Sequence, residues 1–566
     1  MPTSTRLPRW ADLLLGLGCL GLGGWLISAP LHSLPALAAL VAAGAVLTGL
    51  VDLGSVTSSA RPWLPAVTGV GWLVVGLVAL FWPGLSILGL AIAVGVGLVL
   101  GGIGELVSPT GADRLVGRLG GAASGLLGVL ALAWPAATLL VVAVVFGLRL
   151  VLFGIGLLTD VRPAHMPGWV RLGGTIAVLV LAVGGTVASV AVHRAAPAAP
   201  GTFYTAPEPL PAGPPGTIIR DEVVPGFLAG ATTYRVLYKS TGLDGHPTAV
   251  SGLILVPAGA PPAGGRKVLA YTHGTVGVAS NCAPSLAPPA AQPLLAEGGA
   301  GFVGAGYVVA ATDYQGLGTA GPHPFLVGPV EAENELDIVR AARLLPAARA
   351  GTEFAVWGHS QGGHAALFTG QLAASYAPEL DLVGVAAGAP VPNLVDLFAV
   401  NLTTTVGKVL IAMALSSWAR VYHDANLDQI VTPAARPLVD RIAATCLYGQ
   451  QQLAAAVPNV LALRLSFLSA PPWQVEPWRS IAAANNPGQA PIDAPVLLVQ
   501  GGADTIVDPA TTQRLATAMC AEGETVDLRL LPGVGHLQTG QLAAPDVARW
   551  IADRFAGRAA ASTCVG

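Results

Sequence analysis

The sequence predicts two unlike parts: a multi-pass all-α membrane domain over residues 1–194 and, behind a linker at 195–216, an α/β domain with a helical insertion over 217–566. Three observations predict this. Charged side chains are sparse between Trp10 and Val192, so several stretches reach the roughly 20 apolar residues that a bilayer span needs. Within that region Pro30, Pro83 and Pro135 recur at intervals of 53 and 52 residues, which marks an internal repeat. Beyond residue 217, short apolar strand patterns alternate with helical ones around Gly358-His359-Ser360-Gln361-Gly362. The whole-chain figures, 53% hydrophobic, 10% charged and a mean hydropathy of +0.65, average these two parts.

The expected spans lie near 10–28, 34–52, 63–82, 84–107, 116–134, 137–158 and 170–192, seven in all. Basic residues fall in alternate short loops, at Arg6 and Arg9, Arg61, Arg114 and Arg118, and Arg162 and Arg171. By the positive-inside rule the N-terminus is then cytoplasmic, and an odd number of spans puts everything after Val192 outside the cell membrane. The first span sits too deep in a polytopic array to read as a cleaved signal peptide. Each repeat is a helical hairpin with its turn at Ser28-Ala29-Pro30, Phe81-Trp82-Pro83 or Ala133-Trp134-Pro135. Three hairpins supply six spans, and the seventh is an addition. Small residues throughout allow close helix packing. With its short hydrophobic repeats and Trp-Pro turns, this block resembles the HdeD-type acid-resistance membrane proteins. Glu105 and Arg149 are the only ionisable residues well inside the expected spans, and position near a cytoplasmic end or snorkelling accounts for them better than an ion path.

The stretch 195–216, rich in Ala, Pro and Gly, favours extended, semi-rigid backbone and reads as a tether. Of five cysteines, Cys19 lies in the first span, whereas Cys282, Cys446, Cys520 and Cys564 fall in the outer domain. Their spacing fits no zinc site, and an oxidising compartment permits two disulfides with three alternative pairings.

The pentapeptide from Gly358 to Gly362 has the G-x-S-x-G form of a turn that lifts a serine hydroxyl clear of a strand-to-helix junction. Glu353 to Trp357 reads as the buried strand before it and Gly363 to Tyr376 as the helix after it. Both glycines are required where the turn is tight and a Cβ would clash. A serine alone is a weak nucleophile. It needs an imidazole to take its proton and a carboxylate to fix the tautomer. The apolar strand Pro495 to Gly501 runs into Gly502-Ala503-Asp504, which puts the Asp504 carboxylate just past a strand end; Asp493 and Asp508 are rivals on either side. The strand Val526 to Leu531 leads into Pro532-Gly533-Val534-Gly535-His536, a glycine-rich loop presenting His536 as the base. Serine, acid, histidine is the chain order of an α/β-hydrolase domain.

Donors for a developing oxyanion are expected from the Gln361 amide and from the loop Thr272-His273-Gly274-Thr275-Val276-Gly277, with Gly274 and Thr275 as its candidate contributors. A second glycine pattern, Gly316 to Gly321, follows a strand, but Pro322 and Pro324 stand where a dinucleotide-binding helix would begin, so it is a loop. No metal or nucleotide motif is present, which implies no cofactor. A net charge of -3 without a basic cluster in the outer domain argues against nucleic acid.

These motifs, with Cys282-Ala283-Pro284-Ser285, Thr312 to Gly318, Val383 to Pro390, Gly501 to Asp504 and Gly535-His536, make the chain from about Thr217 onward resemble the secretory lipase family. The resemblance implies a Ser-His-Asp carboxylester or triacylglycerol hydrolase with a helical cap before the acid-bearing strand, and a lipid or ester substrate. It also favours pairing Cys282 with Cys446 and Cys520 with Cys564. The sequence offers room for the cap independently, at about 393–486, a gap far longer than an ordinary connection. An apolar acyl-binding wall is its expected role. An acyltransferase or serine peptidase would use the same triad, and a stress-response protein with a non-catalytic, lipid-binding outer domain is the alternative outside enzymology.

Overall fold

The computed structural model describes residues 199–286, 291–448, 463 and 467–564, together with 69–74, 87–107, 114–133 and scattered positions in the N-terminal part. The chain divides into two compact units, Met1–Ala196 and Pro197–Gly566.

In the first unit, α1 (Ile87–Val107) and α2 (Arg114–Ala133) occupy two of the stretches expected as spans. Their backbones touch. A Cβ at Gly102 would come within 2.6 Å of the Gly121 carbonyl oxygen, and one at Gly128 within 2.7 Å of that of Gly95. Only glycine permits that approach, as the small-residue pattern requires. Among the described residues no helix is both long and apolar enough to cross a membrane; in α1 the side chains are described only from Gly95 onward. The other five expected spans, near 10–28, 34–52, 63–82, 137–158 and 170–192, lie largely outside the described residues, the longest described run in them being the helical 69–74.

The second unit is built on a nine-stranded sheet: β1 (Ile218–Val224), β2 (Ala231–Thr241), β3 (Pro247–Pro257), β4 (Arg266–Thr272), β5 (Val308–Thr312), β6 (Ala350–His359), β7 (Asp381–Gly388), β8 (Val496–Gly501) and β9 (Val526–Leu531). Their order is β1-β2-β3-β5-β4-β6-β7-β8-β9. β1, β2 and β3 pair antiparallel, as do β3 and β5, and every pairing from β5 to β9 is parallel. Alternation along β4 shows how the layers form. Val268 and Ala270 face one core with α3 (Gly328–Leu344), α4 (Gln361–Tyr376) and α9 (Pro509–Ala521). Leu269 and Tyr271 face the other, with the segment 292–304 and α10 (His536–Phe555). A two-residue side-chain period makes the middle of the sheet apolar on both faces, which is why β5 and β8 are buried along their whole length. This three-layer arrangement is the α/β-hydrolase fold.

Between β7 and β8 the chain forms α5 (Leu394–Asn401), α6 (Thr405–Val421), α7 (Arg436–Ala443) and α8 (Trp478–Ala484). Their Phe398, Ile411, Trp418, Ile442 and Trp478 share one core with Phe325, Leu326 and Val327 of the segment before α3. Of the apolar segments expected in this insertion, Val409 to Trp418 lies in α6; Val460 to Leu468 falls largely outside the described residues.

The 195–216 stretch is not a free tether along its described length. Tyr204 is buried and its hydroxyl lies 2.9 Å from the Ser285 Oγ, while the Lys239 ammonium donates to the Gly213 carbonyl at 2.6 Å. Proline and glycine spacing signals stiffness but does not show that one aromatic ring in such a stretch has a pocket to fill.

Candidate active site

Parallel pairing places the parts. Thr272 at the end of β4 stands opposite Gly358 near the end of β6, so the loop from His273 begins beside the turn that carries Ser360. The C-terminal ends of β6, β7 and β8 lie side by side, the edge where open α/β sheets bind ligands.

Ser360 sits at φ 60° and ψ -120°, a conformation that costs about 1–3 kcal/mol for a residue bearing a Cβ. It is held there by its amide, which donates to the Gly388 carbonyl at 2.8 Å. The two flanking glycines are demanded by space: a Cβ at Gly358 would lie 2.0 Å from the Thr272 Oγ1, and one at Gly362 only 1.9 Å from the Thr272 carbonyl oxygen. The Thr272 hydroxyl donates to the Gly362 carbonyl at 2.7 Å and closes the contact.

The Ser360 Oγ lies 2.8 Å from the His536 Nε2, and the His536 Nδ1 lies 2.8 Å from the Asp504 Oδ2. The other Asp504 oxygen accepts the Ile506 and Val507 amides at 2.8 and 2.9 Å. Burial tends to raise this carboxyl, but its partner His536 and the two amides prevail, and the net shift is below the usual aspartate range. Burial lowers the His536 imidazole below its ordinary value, although the hydrogen bond to Asp504 opposes the shift. The arrangement can therefore pass a proton from hydroxyl to imidazole and hold the resulting cation.

The rivals of Asp504 are elsewhere. Asp508 caps α9, its Oδ1 accepting the Ala510 amide at 2.9 Å. Asp493 is exposed before β8, away from the end that carries Asp504. His536 departs from the expected loop placement, since it is the first residue of α10 behind the extended Gly535. The helix start fixes its backbone where a loop would leave it free.

Gln361 opens α4, where the amide has no partner within the helix. Its side chain is turned away into a buried network, donating to the Glu331 Oε1 at 2.7 Å, while the other Glu331 oxygen lies 3.1 Å from the His364 Nδ1. The His364 Nε2 in turn meets the Asn485 carbonyl just beyond α8 at 2.8 Å, so the insertion is wired to the serine-bearing helix. A Cβ at Gly274 would lie 3.2 Å from the His359 carbonyl oxygen, so this loop runs against the turn. Thr275 joins Ser360 and Gln361 in the wall of a narrow cleft that opens to solvent. Apolar side chains complete the wall, among them Phe325, Leu397 and Leu410.

Cys282 is bonded to Cys446 and Cys520 to Cys564. The first bond ties the segment after the Thr275 loop to the insertion, and the Leu447 amide donates to the Val276 carbonyl at 2.7 Å beside it. Among the described residues no cluster of His, Cys, Asp or Glu could hold a metal ion.

Sequence reasoning missed Gln500, whose buried amide donates to the Asp504 Oδ2 at 3.0 Å and whose carbonyl accepts the Thr512 hydroxyl at 2.7 Å. The available signal was a polar residue closing an otherwise apolar strand. Glu297 was missed as well, and its surroundings carry no periodicity that could have found it.

Residues 300–563 match the model of the secretory lipase family. Over 383 residues, 63% of this chain and 82% of the relative, the sequence is 26% identical to a probable inactive lipase of Mycobacterium tuberculosis. It is also 26% identical to a secreted triacylglycerol lipase of Malassezia globosa, over 64% of this chain and 80% of that one. The C-terminal part is a carboxylester hydrolase. The fold of this hydrolase is that of Candida antarctica lipase A, with a TM-score of 0.56 at 21% identity over 65% of this chain and 89% of the other. Upstream of the hydrolase, residues 67–127 and 119–188 each match a short repeat of unknown function, the first enclosing Pro83 and the second Pro135.

Proposed function

We propose that the protein is a membrane-tethered, extracytoplasmic serine hydrolase in which Ser360 is the nucleophile, His536 the general base and Asp504 the residue that orients it. The observation that carries this reading is the unbroken hydrogen-bonded line from the Ser360 Oγ through His536 to Asp504, on a strained serine at a strand-to-helix turn. The Ser360 Oγ attacks the ester carbonyl as the His536 Nε2 takes its proton. The Gln361 amide and the Gly274–Thr275 loop receive the oxyanion, each such donor being worth about 2.7–4 kcal/mol. His536 then returns the proton to the departing alkoxide, and water, deprotonated by the same imidazole, releases the acid from Ser360.

An apolar cleft at the serine favours an acyl chain over a peptide, so the substrate class is a carboxylic ester of lipid type. Extracytoplasmic placement is supported by the two disulfides, which persist in oxidising compartments, and by the basic loops of the N-terminal part. Membrane attachment is supported by the glycine-mediated contact of α1 and α2 and by the apolar side chains they leave exposed, Leu100, Ile103, Val107 and Val129 among them.

The test is hydrolysis of p-nitrophenyl esters by the purified full-length chain and its Ser360→Ala variant. Loss of activity by at least about 1,000-fold is expected. Equal rates would remove the serine from the mechanism and leave the outer domain to a binding role.

A further inference from the structure

Immediately behind the proposed base lies a second carboxylate–imidazole pair that the mechanism above does not use. The His359 Nδ1 is 3.1 Å from the Glu297 Oε1, and the His359 ring centroid is 5.0 Å from that of His536. Both residues are buried. Glu297 is held from several sides: its Oε2 accepts the Tyr271 hydroxyl at 2.7 Å, and its backbone carbonyl accepts the Trp357 indole N–H at 2.9 Å. The chain around it leaves helical geometry, with Gly298 at φ 106°. On α10, one turn beyond His536, a Cβ at Gly540 would lie 2.4 Å from the Glu297 Oε1 and 2.9 Å from the His359 Cγ. His536 and Gly540 share a helix face, so the pair meets the first turn of α10 at both. The His359 ring also meets the backbone of His536, so the pair touches the proposed base at its main chain as well as at its ring.

We propose that Glu297 and His359 are positioning residues for His536: the pair seats its ring and the first turn of α10, and controls the pH at which His536 works as a base. This rests on the reading of His536 as the base. The titratable groups around the two rings are Glu297 from the segment 295–299, Tyr271 from β4 through that carboxylate, and Asp504 from the loop after β8. Burial alone would lower the His359 imidazole, but the Glu297 carboxylate and its hydrogen bond outweigh burial and the net shift is upward. A cation at His359 then opposes a second one on His536, which keeps the base in its neutral, proton-accepting form.

The experiment measures kcat/KM against pH for the full-length chain and its His359→Gln, Glu297→Gln and Ser360→Ala variants. His359→Gln removes the facing cation and leaves a carboxylate, so the acidic limb should move up by about one pH unit. Glu297→Gln lets His359 go neutral, so its limb should move up by a smaller step. At pH values above both limbs, kcat should fall less than about 10-fold in each. Limbs that coincide with that of the unsubstituted chain in folded variants overturn the proposal. If His359→Gln does not fold, the isosteric Glu297→Gln decides alone. Full activity in Ser360→Ala removes the catalytic reading and this proposal with it, whereas an inactive Ser360→Ala with unmoved limbs removes only the role of the pair.

Discussion

The carbonyl oxygen of Thr272 leaves no room for a side chain at Gly362, where a Cβ would lie 1.9 Å from it. The contact joins the strand that leads into the Gly274–Thr275 loop to the helix that follows Ser360, so one methyl group there must push the two loops apart. Gly362→Ala is therefore expected to lower stability by at least about 2–3 kcal/mol, an overpacking cost with no flexible neighbour to absorb it. Activity should fall more than stability alone explains. Thermal melts and ester turnover, measured well below the melting midpoint, separate the two effects.

Asp504 and Asp508 lie four residues apart and have different tasks. Asp504 holds the His536 Nδ1, whereas Asp508 caps a helix. Asp504→Asn should keep the fold and reduce kcat by about 10⁴-fold, because an amide stabilises the wrong imidazole tautomer. Asp508→Asn should leave kcat within about 3-fold, since asparagine caps helices as well as aspartate does. Reversal of the two results would move the acid to Asp508.

In the proposed mechanism His536 must be neutral to accept the serine proton. Its basicity is lowered, first by burial, so the neutral form persists at pH values where an ordinary imidazole, with a pKa of about 6.5, is already protonated. Activity should accordingly rise with pH along an acidic limb centred below about 6.5 and then level. A kcat/KM profile with its limb above that value would contradict the burial argument.

Leu397, Ile506 and Val507 wall the cleft at Ser360 and also a second narrow cleft, lined further by Asn393, Val400 and Thr511. Truncating that shared wall should join the two. Leu397→Ala is expected to raise kcat/KM for long-chain relative to butyryl esters by roughly 10-fold, the scale of a methylene or two in an apolar pocket. An unchanged ratio across an acyl-length series would place the acyl chain elsewhere.

Much of this geometry was legible in the sequence because it depends on local pattern. Strand, turn and helix around Ser360 and the strand before Asp504 are specified by runs of apolar residues ended by glycine, and the strand before His536 by alternation ended by Pro532-Gly533. The pairings Cys282–Cys446 and Cys520–Cys564 came from family resemblance, since spacing left three alternatives open. His536 was misplaced on a loop because a helix start with glycine as its cap gives no side-chain signal in the sequence. The tether reading of 195–216 failed at Tyr204 for a related reason: what holds that ring is Ser285, 81 residues away.

By itself the sequence determined an apolar, repeat-built N-terminal part and a C-terminal α/β-hydrolase domain, and it named Ser360, Asp504 and His536 as the candidate site residues. Those features are carried by hydrophobic period and by glycines at turns, both properties of neighbouring residues. Only the tertiary structure decided which polar groups share a buried space. Gln500 on Asp504, Glu331 between Gln361 and His364, and Glu297 with His359 behind His536 all arise where strands and helices remote in sequence converge. In a low-dielectric interior each such group must find a partner in three dimensions, and the chain gives no one-dimensional mark of where that partner lies.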